Sequence, residues 1–162
     1  MRGKVELRSE LVNVHEVLNG AVEMVAPLLA KKQQRLQVDV VSVNWYGDPG
    51  RLAQIVVNLL TNTSRYSQSE ADIMLRARIA DRELKIEVTD NETGLSAELL
   101  PHIFEPFIQG DRKLHGSAGG LGIGLALVRN LSQLHGGRAM ARSEGPGRGS
   151  TFTVYMPLPS GL

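Results

Sequence analysis

The 162-residue chain is the size of one ordinary domain, and with 42% hydrophobic and 22% charged residues it has the apolar material to bury a core. Eighteen Lys and Arg against 17 Asp and Glu leave a formal net charge of +1, which excludes the basic excess that marks nucleic acid as a main partner, and the lack of cysteine excludes disulfides, thiolate nucleophiles and cysteine-type metal sites. No apolar run approaches the roughly 18 residues of a spanning helix, Met1-Arg2-Gly3-Lys4 does not lead into a signal-peptide core, and 4% aromatics offer few platforms for stacking single-stranded bases.

Asn13 and Glu16 stand at capping-box spacing and predict a helix start. Val14, Val17, Leu18, Ala21, Val22, Val25, Leu28 and Leu29 then draw one apolar stripe down about four turns. Residues 36–43 alternate and predict a half-buried strand. Asp48-Pro49 is an N-cap followed by the residue favoured at the first helical position, so a second helix should run from Pro49 to about Tyr66. Its apolar stripe is Leu52, Ile55, Val56, Leu59 and Leu60. Beside it Arg51, Gln54, Asn58, Asn62 and Arg65 form a polar stripe, read either as a solvated face or as a binding face.

Residues 71–79 and 84–88 alternate across an Asp81-Arg82 turn and predict a β-hairpin. The same parity places Asp90 on the buried face, where a carboxylate requires a bond from backbone or ligand. Ser96 is a cap for a short helix through Leu99, Leu100 and Ile103, followed by Phe104-Glu105-Pro106-Phe107 and a polar, glycine-containing stretch with the composition of a lid. Gly120, Gly122 and Gly124 open a helix carrying Leu125, Leu127, Val128, Leu131 and Leu134, stopped by Gly136 and Gly137 after His135, where a cation is favoured. Glycines in that position suit a phosphate or a flexible connection. The segment fits neither the Walker nor the Rossmann pattern. Residues 138–143 and 150–156 predict a closing hairpin around residues 145–149.

In combination these segments resemble the catalytic, ATP-binding domain of bacterial sensor histidine kinases, within the GHKL superfamily shared with gyrase and the heat-shock chaperone ATPases. The N box is similar at residues 54–66, the F box at Phe104-Glu105-Pro106-Phe107, the second glycine box at residues 120–125 and the last box at residues 147–152. All four occur in the family's order within residues 45–157, and residues 5–44 fit an entry strand and first helix.

The resemblance implies a single domain over residues 1–162 with a Bergerat-type α/β sandwich, its mixed β-sheet covered on one face by about three helices. It implies ATP and Mg²⁺ as cofactors, with Asn62 as metal ligand, Asn58 beside it, Arg65 on phosphate and Tyr66 flanking the nucleotide. Asp90 would accept from the adenine amino group, with Ser150 or Thr151 holding the water that shares this contact, and Gly94 of the first glycine box would be among the nucleotide-binding residues. Gly120, Gly122 and Gly124, followed by Leu125, would line the phosphates. A lid over about residues 108–119, anchored by Phe104 and Phe107, would bring Arg112 or Lys113 to the terminal phosphate.

Related ATPases place a glutamate at the position of Asn58 to activate water. An amide cannot take that proton, which favours transfer to another acceptor over hydrolysis. Two departures stand out: Glu92 replaces a glycine of the first glycine box, and Thr63 stands where the family usually has alanine. The expected partners are a dimerisation and phosphoacceptor domain, absent from this chain, and a response regulator, with no DNA and no direct membrane contact. The expected location is cytoplasmic, with a tether to the inner membrane through the rest of a longer sensor. A rival reading, motivated by Glu92, is a degenerate regulatory module with weak or no catalysis that binds a second-messenger nucleotide or a partner protein, with Arg76 and Arg78 on the outward parity of their strand. His15, His102, His115 and His135 read as structural.

Overall fold

The computed structural model describes residues 6–91, 94–105 and 122–158. In chain order the elements are β1 (Glu10–Asn13), α1 (Val14–Lys31), β2 (Arg35–Val40), β3 (Asn44–Gly47), α2 (Pro49–Tyr66), β4 (Asp72–Ala80), β5 (Glu83–Asp90), α3 (Gly122–Leu134), β6 (Arg138–Ser143) and β7 (Ser150–Pro157). Five strands form one mixed sheet in the order β2-β4-β5-β7-β6, parallel only between β2 and β4, while β1 and β3 pair as a separate antiparallel ribbon.

Alternation decides which sheet face is covered. Ile73, Leu75 and Ala77 register with Asp90, Val88 and Ile86, and these with Ser150, Phe152 and Val154 across β7. All but Ser150 are buried. Against them pack Leu18 and Val25 of α1, Leu52, Ile55, Val56 and Leu59 of α2, and Leu125, Val128 and Leu131 of α3. The result is the α/β sandwich the sequence predicts.

Asn13 caps α1 by accepting from Glu16 N at 3.0 Å. The helix runs through Pro27, whose missing N–H leaves the carbonyl of exposed Glu23 to water. Helix α2 has the predicted bounds, with Asp48 Oδ1 accepting from Arg51 N at 3.1 Å. Gly136, at φ +81, ends α3, and Gly137 N donates to Ser132 O at 2.9 Å.

Two expectations need correction, and one feature goes unanticipated. The strand expected over residues 36–43 is β2, residues 35–40; it stops short of 43, where the chain leaves the sheet and Val43 O accepts from Val14 N at 2.9 Å. The short helix after Ser96 is a single 3₁₀ turn, Leu100–His102, although Ser96 Oγ does accept from Leu99 N at 3.1 Å. The β1–β3 ribbon is not anticipated as a pair.

Asp48 joins three segments. Its second carboxylate oxygen accepts from Arg8 N at 2.8 Å, and its own N–H donates to His135 Nε2 at 3.3 Å. Burial works against its ionised form, but N–H donors from Arg8, Arg51 and Gly50, with the Arg51 charge, outweigh it and hold the carboxyl below its ordinary value. A depressed folded-state value stabilises the fold above the unfolded-state pKa, about 3.9, and the gain disappears as pH falls through the folded value. Asp72, held down by its Arg35 hydrogen bond, acts in the same direction. Thermal unfolding is therefore expected to show a falling midpoint below about pH 4, and Asp48→Asn to be less stable by about 1 kcal/mol at neutral pH with a flatter acid limb. An acid limb as steep as wild type would contradict this role.

Candidate functional site

The polar stripe of α2 and the start of α3 meet on one side of the sandwich. Asn58 and Asn62 are half-buried, one turn apart, and Asn58 Nδ2 donates to Gly124 O in the first turn of α3 at 3.5 Å. A Cβ on Gly124 would have no heavy atom within 4 Å, so backbone and open space adjoin the asparagine row. Leu125, the next residue, is 4% exposed and anchors this end of α3 in the core. Gly122 is the first residue of α3.

At the C-terminus of α2 the side chains converge on β5. Asp90 is 2% exposed, and its carboxylate is surrounded by donors: Ser67 Oγ at 2.7 Å, Ser150 N at 3.1 Å and Ser150 Oγ at 3.1 Å. The inward position is as predicted, and both backbone and hydroxyls meet it. Ser67 is a site residue the sequence reading misses. Its signal is indirect, one turn beyond Thr63 and just past the end of α2, where a serine reads as a cap. Thr151, the neighbour of Ser150, faces the other side of β7 and pairs its hydroxyl with Thr89 at 3.3 Å.

A clamp holds the end of α2 in place. Lys32 Nζ donates to the carbonyls of Ser64, Arg65 and Ser67 at 2.8, 3.2 and 2.7 Å, and buried Gln34 donates from Nε2 to Ser64 O at 3.0 Å. A cation on the last carbonyls of a helix is favoured by the dipole. Burial, and then the Arg65 charge, pushes the Lys32 ammonium below its ordinary value. Tyr66 lies beside this clamp on the exposed side, its phenol pushed up by burial and drawn back by Arg65. Arg65 itself is exposed.

Gly94 has a packing reason to be glycine. A Cβ there would collide with the backbone carbonyl of Gly145 in the β6–β7 turn. Phe104 is half-buried and meets Phe152 edge-on at 6.4 Å between ring centroids. The expectations for Phe107, Arg112, Lys113, His115, Gly120, Glu92 and the lid over residues 108–119 lie outside the described residues.

The outward reading of Arg76 and Arg78 is correct, but both adjoin Asp39: Arg78 Nη2 lies 2.6 Å and Arg76 Nε 3.8 Å from its carboxylate. A concavity of about 480 Å³ opens at the ends of β5, β6 and β7, lined by Thr89, Asn91, Arg142, Arg148 and Thr151 together with the strand end at Asp90. Asn58, Asn62, Tyr66 and Gly124 do not line it, so it is distinct from the α2–α3 face. His15 bonds Asn19, His102 bonds Glu105, and His135 uses both ring nitrogens within the fold, Nδ1 lying 2.9 Å from Leu131 O. At the end of α3 His135 has the structural role read for it, bonded to Leu131 O and to the Asp48 N–H.

The donor set fits a nucleotide-borne cation. Among the described residues no three His, Asp or Glu gather as a metal cage. Neutral amides such as Asn62 suit a hard cation whose other ligands are phosphate oxygens and water.

Comparison with known proteins places the fold and these motifs in a family. Residues 47–160 match the histidine kinase-, DNA gyrase B- and HSP90-like ATPase family, and the chain belongs to it. The chain is 30% identical over 97% of its length to the hybrid signal transduction histidine kinase D of Dictyostelium discoideum, and 37% identical over 80% to the circadian input-output histidine kinase CikA of Synechococcus elongatus. It spans only 11% and 17% of those relatives. A crystal structure of full-length ShkA in complex with AMPPNP superposes with a TM-score of 0.83 at 27% identity, over 95% of this chain and 32% of that one. No helix among the described residues is long and apolar enough to cross a membrane.

Proposed function

We propose that the chain is the ATP-binding catalytic unit of a sensor histidine kinase, positioning Mg-ATP for phosphoryl transfer to a histidine on a separate dimerisation and phosphoacceptor domain. The observation that carries this reading is the bond from Asn58 to Gly124 O, which joins the asparagine row to the glycine box on the side where α2 also delivers Ser67 to Asp90. Bound Mg-ATP supplies the phosphoryl group and a cation that neutralises its charge. The chain's own work is placement. Asp90, fixed by Ser67 and Ser150, accepts from the adenine amino group. Tyr66 flanks the nucleotide, Asn62 offers an amide oxygen to the cation, Arg65 adds charge near the phosphates, and the amides around Gly122 and Gly124 face anionic oxygen at the positive end of α3. Phe107, Arg112 and Gly120 are assigned to the lid and phosphate end by resemblance.

Asn58 cannot act as a base toward water, so transfer to a partner is favoured over hydrolysis. A response regulator would receive the phosphoryl group next, on the cytoplasmic side of a membrane-tethered or soluble sensor. The rival regulatory reading is weakened by Asp39, which pairs with Arg78 and adjoins Arg76 and so offsets one of the two positive charges that would grip a second messenger.

Calorimetric titration of the chain with Mg-ATP, ADP and a cyclic dinucleotide tests the proposal. Binding of both adenine nucleotides at micromolar concentrations is the expected result. Silence toward both, with the fold intact by circular dichroism, would overturn it, and heat from the dinucleotide alone would establish the regulatory alternative.

A further inference from the structure

Thr63 is 4% exposed, and its Oγ1 has no hydrogen-bond partner among the described residues. A buried hydroxyl left unpaired costs on the order of 1–3 kcal/mol, so its retention calls for a partner. The usual remedy for a hydroxyl inside a helix is a bond to the carbonyl four residues earlier. Ser132 of α3 takes that remedy, donating to Val128 O at 2.7 Å, whereas Thr63 makes no such bond. Among the described residues the other buried side-chain polar atom without a hydrogen bond, Arg76 Nε, differs in lying 3.8 Å from the Asp39 carboxylate.

The neighbours of Thr63 define where on α2 it stands. Thr63 follows Asn62 directly and precedes Ser67 by one helical turn, so it stands on α2 between the asparagine row and the serine that holds Asp90. A methyl-sized residue, usual at this position in the resembling family, would carry no polar group there.

Resting on the nucleotide-binding reading above, we propose that Thr63 completes the base end of the site. Its hydroxyl accepts, directly or through one water, from the exocyclic amino edge of adenine that Asp90 also reads. Thr63 is thereby a specificity-determining residue of the site.

The test uses Thr63→Val, which keeps the shape and removes the hydroxyl, with Thr63→Ser as the conservative rescue. Affinity is measured by calorimetry for Mg-ATP and for Mg-purine riboside triphosphate, which lacks the amino group. The expected result is a loss of about three- to tenfold for ATP in Thr63→Val, recovery in Thr63→Ser, and little change for the purine analogue in either variant. The ligand-free thermal midpoint of Thr63→Val should equal or exceed wild type, since an unpaired group has been removed. Wild-type affinity for ATP in Thr63→Val, or equal losses for both nucleotides, would overturn the proposal and leave the kinase reading standing. Failure of the unmodified chain to bind ATP at all would overturn both.

Discussion

Asn62→Ala is expected to reduce phosphoryl transfer from Mg-ATP by on the order of 100-fold or more, without unfolding the protein. The half-buried side chain lies on the polar stripe of α2, outside the hydrophobic core, and alanine favours the helix. On the proposed reading what is lost is the amide oxygen offered to a cation that offsets charge as the phosphoryl group moves, and a single well-placed electrostatic partner contributes about 10²–10³ in rate. Transfer is measured with radiolabelled ATP and a phosphoacceptor domain supplied in trans. A second readout needs no partner: adding a chelator should weaken ATP binding to wild type and have little effect on the variant. Transfer within about threefold of wild type would remove Asn62 from the metal role.

Trp45→Ala should have the largest effect on stability, costing about 3–5 kcal/mol and lowering the thermal midpoint by roughly 10 °C or more. Trp45 is 1% exposed, its Nε1 donates to Pro157 O at 3.4 Å, and its ring lies 5.1 Å from that of His135. The indole therefore fills the space between β3, the end of β7 and the end of α3. Gly47 is part of the same fit, because any Cβ there would run into the indole. His135 continues the contact to the N–H of Asp48, so the cavity left by alanine would lie directly beneath the start of α2. Chemical denaturation with circular dichroism checks the size. A loss under about 1 kcal/mol would mean that the surroundings collapse to fill the hole.

Local chemistry made much of this molecule readable in advance. The caps at Asn13 and Asp48, the stop at Gly136 and the parity that turns Asp90 inward are all decided within a few residues, and the structure has each of them. The asparagine row and glycine box were legible as spacing. What escaped depends on partners far away in the chain. Lys32 and Gln34 sit in a polar run that looks like an ordinary linker, yet they close the end of α2 some 30 residues later, at a junction no local pattern describes. Ser67 matters only because α2 ends opposite the last residue of β5. The β1–β3 ribbon is only four residues deep and leaves Leu11 and Tyr46 exposed, so it has no clear alternation to announce it. Gly94 looked like part of a ligand loop, and its need for glycine comes from the Gly145 backbone.

The place of β7 has a consequence for how the protein is made. This strand is the last described in the chain, yet it lies inside the sheet, between β5 and β6. A ribosome delivers the chain from its N-terminus, so β5 waits with an unfilled edge until residues 150–157 emerge. Pairings this distant in sequence are slow to close. The nascent domain therefore completes its sheet only then, and a premature stop before residue 150 removes β7 and with it the pairing that joins β6 to the other strands.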